Sequence, residues 1–195
     1  MQPKYACWNC GHQYENFTYF CEKCHKILKP TSGNAFEHFG LKPEFIIDLD
    51  KLEIDYYDIQ DKVHPDKFVG MSSEESLYAQ IHSSNLNNSY QALTNIVSRC
   101  EVLLKYHGVE TDNQNTISDP EVLNEVMEIQ EKLENLNSKE KDLYAKEIKE
   151  KLKIYAIELN LAFEDQNFQN VKLLKTKISY LEKVVKDLRL SLIHI

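Results

Sequence analysis

Residues 121–195 contain no glycine and no proline, although the chain of 195 residues has five of each. All five glycines lie at or before Gly108, and all five prolines lie at or before Pro120. Glycine and proline are the two residue types that most disfavour the interior of an α-helix. This last part of the chain is therefore predicted to be helical, apart from short turns.

Apolar residues in this part recur every three or four positions, the period of one helix face. They form three runs: Val122, Val126, Ile129, Leu133 and Leu136, then Tyr144, Ile148, Leu152, Tyr155 and Leu159, then Val171, Leu174, Ile178, Leu181, Val185 and Leu188. Asp119–Pro120 is a typical helix start, and Ser138 and 165–167 mark two later breaks. The pattern predicts an antiparallel three-helix bundle over 118–195.

The chain is acidic, with 23 Lys and Arg against 31 Asp and Glu and a net charge of −8. Since phosphate charge supplies most non-specific nucleic-acid affinity, we expect no nucleic-acid partner. No apolar run reaches the roughly eighteen residues of a membrane span, and Met1–Lys29 lacks the apolar core of a signal peptide, so no membrane partner is expected. The sequence has no glycine-rich phosphate loop and no nucleophile with suitable partners, so it does not predict an enzyme.

Four of the five cysteines form two Cys-x-x-Cys pairs, which are Cys7 with Cys10 and Cys21 with Cys24. This pattern is typical of structural zinc held by four thiolates, a site with no open position for a substrate. Two disulfides, a redox dithiol or iron are the alternatives, and the lack of a secretory signal favours zinc.

Residues 1–30 are too few to bury a core of their own, so the metal would supply their folding free energy. We expect this zinc-binding element to be covered by nearby aromatic side chains, namely Tyr14, Phe17, Tyr19 and Phe20. Beyond folding, the element could also serve self-association.

A second pattern lies in the middle of the chain. Apolar residues from Leu49 to Val63 repeat at helical spacing after Asp48 or Asp50, either of which can cap a helix. The helix must stop at His64 because a residue that precedes proline is pushed out of the helical region.

Another long helix is predicted to begin at about Ser72 or Ser73, where two glutamates suit the positive first turn. Its apolar positions are Leu77, Ile81, Leu86, Tyr90 and Leu93. The two helices would form an antiparallel hairpin with His64-Pro65-Asp66 at its exposed tip. Taken alone the tripeptide is ambiguous, since most such loops are merely turns.

This order of helix, His-Pro-Asp turn and helix resembles a J domain, the DnaJ-type module, over residues 31–110. The resemblance implies that His64, Pro65 and Asp66 contact a DnaK-type heat-shock chaperone and trigger its ATP hydrolysis. The flanking Lys62 and Lys67 would join this chaperone-binding set. The helix before the tripeptide is usually basic in J domains, whereas here acidic residues outnumber lysines. Because like charges on two proteins slow their encounter, we expect this difference to affect binding of the chaperone.

Further segments are similar to the HscB family, the co-chaperones of iron–sulfur cluster biogenesis. These are Phe36–Leu41, His64–Phe68, Leu86–Leu93 and Leu103–Gly108. Eukaryotic members of that family can carry an N-terminal tetracysteine element, which the two Cys-x-x-Cys pairs resemble. The expected fold is therefore mainly α, with a small N-terminal zinc-knuckle element, a J-domain helical hairpin and a C-terminal three-helix bundle.

The HscB resemblance also implies a patch on the first and last bundle helices that binds the iron–sulfur scaffold protein. The positions that match the family in residue type are Leu123, Met127, Glu128, Glu131 and Tyr180. Asn124 and Gln130 replace a Met and an Arg of the family pattern. Because an apolar anchor and a guanidinium are lost, we expect weaker or differently tuned scaffold binding.

The expected function is that of a co-chaperone that binds the scaffold and stimulates ATP hydrolysis by the chaperone to promote cluster transfer. A J-domain co-chaperone for other clients, or a zinc-dependent interaction or nucleic-acid-binding module, is the alternative. The family implies the mitochondrial matrix, with the cytoplasm as the alternative because no presequence is visible.

Overall fold

The computed structural model describes residues 5–110 and 120–193, which form two compact units, Met1–Tyr106 and His107–Ile195. The first unit contains both the cysteine pairs and the predicted hairpin, and the second contains the predicted bundle. The boundaries 1–30, 31–110 and 118–195 stay predictions. Within the first unit, the cysteine segment and the helices pack against each other.

The described residues form two short strands and six α-helices. Their bounds are β1 Tyr5–Ala6, β2 Gln13–Tyr14, α1 Leu49–Val63, α2 Ser73–Thr94, α3 Ile96–Tyr106, α4 Pro120–Glu134, α5 Ser138–Glu164 and α6 Phe168–Ile193. Two 3₁₀ turns, Glu37–Phe39 and Pro65–Phe68, precede α1 and α2 respectively. The mainly helical fold predicted from the sequence is confirmed.

The ends of α1 and α2 follow the predicted capping chemistry. Asp48 caps α1 by accepting a hydrogen bond from the backbone amide of Lys51, and Ser72 caps α2 by accepting one from the amide of Glu75. The helix α1 ends at Val63, because His64 has an extended backbone ahead of Pro65.

Tertiary contacts between α1 and α2 fix the hairpin. Tyr56 stacks on Tyr90 with ring centroids 4.3 Å apart, and its hydroxyl donates to Asn87 Oδ1. One turn further along α1, Gln60 Nε2 donates to Ser83 Oγ at 2.8 Å. Since later positions on α1 meet earlier positions on α2, the pair is antiparallel, as predicted.

The buried face of α2 differs from the predicted one. Leu77 and Ile81, which belong to the predicted apolar run, are exposed, whereas Leu86 and Leu93 are fully buried. The buried face also includes Ala79, His82, Ser83 and Ser89, which lie about half a turn away from Leu77 and Ile81. Each of the three polar side chains on this face makes a hydrogen bond, His82 with Leu28 O, Ser83 with Gln60 and Ser89 with His38. The apolar pattern therefore does not indicate which face is buried.

The second unit is a bundle of α4, α5 and α6. Asn137 and Glu140 form a capping box at the start of α5, and Gln166, with φ of 53°, lies in the turn that leads to α6. The predicted core positions of all three runs are buried or half-buried. Asp119, the predicted cap of α4, lies outside the described residues.

Candidate functional site

The two Cys-x-x-Cys pairs fold into two turns of the same design. In the first, the amide of Cys7 donates to His12 O and the amide of Gly11 donates to Cys7 O. In the second, the amide of Cys21 donates to Lys26 O and the amide of His25 donates to Cys21 O. Gly11 and His25 occupy equivalent left-handed positions, with φ of 70° and 58°. Glycine adopts a left-handed conformation without strain, whereas histidine does so less readily.

The four sulfur atoms converge on one point. Cys7 Sγ lies 3.7 Å from Cys24 Sγ, Cys10 Sγ lies 3.7 Å from Cys21 Sγ, and all four lie within 4.8 Å of one another. A tetrahedral ion with metal–sulfur bonds of about 2.3 Å requires sulfur atoms about 3.8 Å apart. A disulfide requires about 2.05 Å, so these cysteines are free thiols arranged for a metal ion.

The charge environment of the sulfur atoms also favours a bound cation. The backbone amide of Lys26, followed by the side chain of Asn9, lowers the pKa of Cys24 to about 6. The amide of His12 acts in the same direction on Cys10, but burial and the three neighbouring thiols together raise the pKa of Cys10 to about 12. The raised pKa of Cys10 means that its neighbours disfavour a thiolate at this position, and a bound cation would offset the added charge.

Only part of the predicted aromatic cover lies over the sulfurs. Tyr14 packs there with the buried Leu28, as predicted. Phe17 and Tyr19 instead contact His82 of α2, and the hydroxyl of Tyr19 donates to His38 O. Phe20 packs against a cluster that includes Phe68. The prediction was wrong for these three, because their contacts are with His38, His82 and the cluster of Ile27, Phe68 and Ala79.

The His64-Pro65-Asp66 tripeptide lies at the exposed end of the hairpin. The side chains of His64 and Asp66 are 46% and 87% exposed. His64 Nδ1 accepts a hydrogen bond from the Asp66 amide at 3.3 Å, and His64 O accepts one from the Lys67 amide. Phe68, at the end of this turn, is buried, so the turn is anchored at one end and open to a partner at the other.

The two lysines predicted beside the tripeptide are both exposed. Lys67 Nζ lies 2.7 Å from Asp61 Oδ2, and the hydrogen bond from Lys67, together with its charge, lowers the pKa of Asp61. Lys62 is in the last turn of α1. Exposed Ile54 and Tyr57 lie farther back on α1, off the face that carries the buried Leu52 and Val63.

The structure places the predicted scaffold-binding residues on α4 and α6. Leu123 and Met127 are 45% and 59% exposed, and Glu128 and Glu131 are exposed on the same helix. Tyr180 of α6 is half-buried beside α4, where its hydroxyl lies 3.5 Å from Val126 O. Burial raises the pKa of Tyr180, while a hydrogen bond from Gln130 lowers it. The assignment of this face to scaffold binding stays a prediction.

Sequence reasoning missed a polar network behind this face. Glu125 accepts a hydrogen bond from the hydroxyl of Tyr155 at 2.8 Å, and its Oε1 lies 2.6 Å from Lys151 Nζ. Lys177 Nζ, on a side chain that is 9% exposed, lies 3.6 Å from Oε2. The sequence feature that could have indicated this network is Glu125, a single glutamate between Val122 and Val126 at a position that faces the neighbouring helices.

No helix among the described residues is long and apolar enough to cross a membrane. Residues 118–189 match a family model described as the HSCB C-terminal oligomerisation domain.

The chain is 31% identical over 185 residues to "Iron-sulfur cluster co-chaperone protein HscB homolog" from Arabidopsis thaliana, covering 94% of this chain and 73% of that protein. It is also 31% identical over 192 residues to "Iron-sulfur cluster co-chaperone protein HscB" from Mus musculus, covering 95% and 82%. The crystal structure of human co-chaperone protein HscB superposes with a TM-score of 0.88 at 30% identity, covering 97% of this chain and all of that one.

These likenesses define the class of the molecule, which is a co-chaperone and not an enzyme. More particularly, the chain belongs to the HscB family of iron–sulfur cluster co-chaperones.

Proposed function

We propose that this chain binds an iron–sulfur scaffold protein through α4 and α6 and stimulates ATP hydrolysis by a DnaK-type chaperone through His64-Pro65-Asp66. The observation that carries the proposal is the exposed tripeptide at the end of the α1–α2 hairpin in a chain of the HscB family. The protein acts through binding alone, and its combined action promotes transfer of the cluster from the scaffold.

The geometry of the turn supports its role as a trigger. Asp66 is strongly exposed and His64 presents its imidazole beside it, whereas Phe68 holds the base of the turn in the core. A co-chaperone can stimulate hydrolysis only by binding more tightly to the hydrolysing state of the chaperone. A preformed and exposed turn can provide such a preference, because little conformational freedom is lost on binding.

The exposed side chains of α4 support the scaffold-binding role. Leu123 and Met127 lie four residues apart and therefore on one face, with Glu128 and Glu131 as an acidic border. Large exposed apolar side chains with charged neighbours are typical of a protein–protein interface. Tyr180 adds an aromatic ring whose hydroxyl is held by α4.

For the metal we propose zinc in a structural site formed by Cys7, Cys10, Cys21 and Cys24. Four thiolates in a closed tetrahedron suit zinc and leave no position for water or substrate. When bound, zinc would supply charge neutralisation and folding free energy to the segment around it. Cobalt substitution tests this assignment, since a tetrahedral thiolate site gives cobalt strong visible absorption that Cys21→Ser would remove.

We further propose residence in the mitochondrial matrix, on the basis of family membership alone. Localisation of the tagged full-length protein in its own cell tests this. A diffuse cytoplasmic signal would contradict the proposal.

ATP hydrolysis by the DnaK-type chaperone of the same organism tests the proposed function directly. We expect the wild type to stimulate single-turnover hydrolysis and Asp66→Asn to abolish the stimulation. Asp58→Asn is the matched control, because Asp58 is exposed on α1 and its replacement removes the same charge. Equal stimulation by wild type and Asp66→Asn would refute the role of the tripeptide.

A further inference from the structure

The tetracysteine element packs against the base of the His-Pro-Asp turn. Ile27, three residues after Cys24, is fully buried in a cluster with Phe68 and Ala79. Phe68 is the last residue of the 3₁₀ turn that begins at Pro65, and Ala79 lies in the second turn of α2. The segment that follows the second pair of cysteines therefore forms one wall of the pocket that holds the turn.

An ion pair joins the same segment to the start of α2. Lys26 Nζ lies 2.9 Å from Glu75 Oε1 and 3.0 Å from Oε2, and the side chain of Glu75 is only 7% exposed. Ser72, the cap of α2, donates its hydroxyl to Glu75 Oε2. The carbonyl of Lys26 accepts the amide of Cys21, so the residue that fixes the first turn of α2 is itself part of a metal turn.

Trp8 links the first pair of cysteines to the same region. Its indole nitrogen donates to Ile27 O at 2.7 Å, and its ring packs edge-on against Tyr78 of α2 with centroids 5.9 Å apart. Trp8 lies between Cys7 and Cys10 in the sequence, so its position depends on the turn that those two cysteines form. Both metal turns thus contact the start of α2.

We propose that the tetracysteine element positions the His64-Pro65-Asp66 turn, with Lys26, Ile27 and Trp8 as positioning residues, so that metal binding is coupled to co-chaperone activity. The inference rests on the proposed role of the tripeptide. The two metal turns share only a small buried cluster of Cys7, Cys21 and Leu28, so an ion held by the four thiolates would stabilise their shape. Metal binding therefore favours the conformation in which the base of the turn is held, and chaperone affinity scales with the population of that conformation.

The single tryptophan of the chain gives a direct readout. In the full chain loaded with zinc, we expect Trp8 emission to shift to longer wavelength when a chelator removes the metal and to return when zinc is restored. Hydrogen exchange of the amides in 64–79 should accelerate together with this shift, while exchange in α3 changes less. Unchanged exchange in 64–79 after metal removal would overturn the proposal.

Variants of Lys26 separate positioning from general stability. With zinc bound, we expect Lys26→Met to raise the co-chaperone concentration for half-maximal ATPase stimulation about tenfold. This is the increase expected if the variant holds the base of the turn in place only about a tenth of the time. Maximal stimulation should be unchanged, and Lys26→Arg should restore the wild-type concentration. Lys23→Met is the matched control, since Lys23 is an exposed lysine in the same metal turn.

Two further results test whether the tetracysteine element positions the His64-Pro65-Asp66 turn. If Lys26→Met behaves like Lys23→Met while circular dichroism shows both folded, the proposal is wrong. If Asp66→Asn leaves stimulation intact, the proposed function fails instead, but the emission of Trp8 and the exchange rates still test whether the metal holds the turn.

Discussion

The carboxylate of Glu125 on α4 accepts a hydrogen bond from the hydroxyl of Tyr155 on α5 at 2.8 Å. Two lysines, Lys151 and Lys177, complete the network around the same carboxylate. Because Glu125 lies between Leu123 and Met127, this network fixes the rotation of α4 that turns those two side chains outward. A partly buried polar contact thus helps to orient the proposed scaffold-binding face.

Replacement of Glu125 by Gln should destabilise the second unit by about 2 kcal/mol, because the carboxylate charge that faces Lys151 and the buried Lys177 is lost. Burial opposes ionisation of Glu125, but Lys151, Tyr155 and Lys177 lower its pKa in the folded state. The stabilisation is therefore present above the unfolded pKa near 4.5 and is lost as pH falls through the lower folded pKa. Urea denaturation followed by circular dichroism measures this, with the exposed Glu128→Gln as control, and equal midpoints would contradict it.

The double replacement of Leu123 and Met127 by Ala should weaken scaffold binding about tenfold to a hundredfold while leaving the melting temperature nearly unchanged. Both side chains are exposed, so their removal leaves no cavity. Ile157 and Leu161 of α5 are similarly exposed and provide the matched control pair. Isothermal titration with the scaffold protein measures the effect. If the α5 pair weakens binding and the α4 pair does not, the interface lies elsewhere.

Two buried histidines should make the first unit sensitive to mild acid. Burial lowers the pKa of His38, and the charge of Glu37 acts in the opposite direction. Burial also lowers the pKa of His82, as does the charge of His38, while a hydrogen bond with the carbonyl of Leu28 raises it. Since both folded pKa values lie below the unfolded value near 6.5, the stabilisation is complete above that pH and is lost as pH falls below it. Thermal melting between pH 7.5 and about 5 should show a smaller acid-induced decrease for His82→Gln than for the wild type. Parallel curves would show that His82 does not titrate in this way.

The left-handed residues of the metal turns should influence zinc affinity in opposite directions. Gly11→Ala places a side chain at φ of 70° and should weaken zinc binding by about fivefold, whereas His25→Gly removes such strain and should strengthen it. A chelator competition at constant pH compares the three proteins. An identical zinc affinity for all three would mean that backbone strain at these positions is absorbed elsewhere.

Much of the fold follows from local patterns. The capping roles of Asp48 and Ser72, the end of α1 before Pro65 and the helical content after Pro120 depend on residues close in sequence, and the structure agrees with each. The four cysteines were also recognisable because metal ligands have a fixed spacing. The identity of their ion and the roles of the site residues stay predictions.

Contacts between distant segments could not be predicted in this way. Leu77 and Ile81 follow the apolar pattern of α2 but are exposed, whereas His82 and Ser89 are buried and form hydrogen bonds with Leu28 O and His38. The pairing of Lys26 with Glu75 joins residues 49 positions apart, and each is an ordinary surface residue by type. Such partners become visible only when the chain is folded.

The most direct test of the central proposal is steady-state ATP hydrolysis by the cognate DnaK-type chaperone, measured with and without the iron–sulfur scaffold protein. We predict that this chain stimulates hydrolysis and that the scaffold increases the rate further. The scaffold-dependent increase should be lost with the Leu123 and Met127 double variant, and all stimulation should be lost with Asp66→Asn. Stimulation that is indifferent to the scaffold would contradict the account and indicate a J-domain co-chaperone with another client.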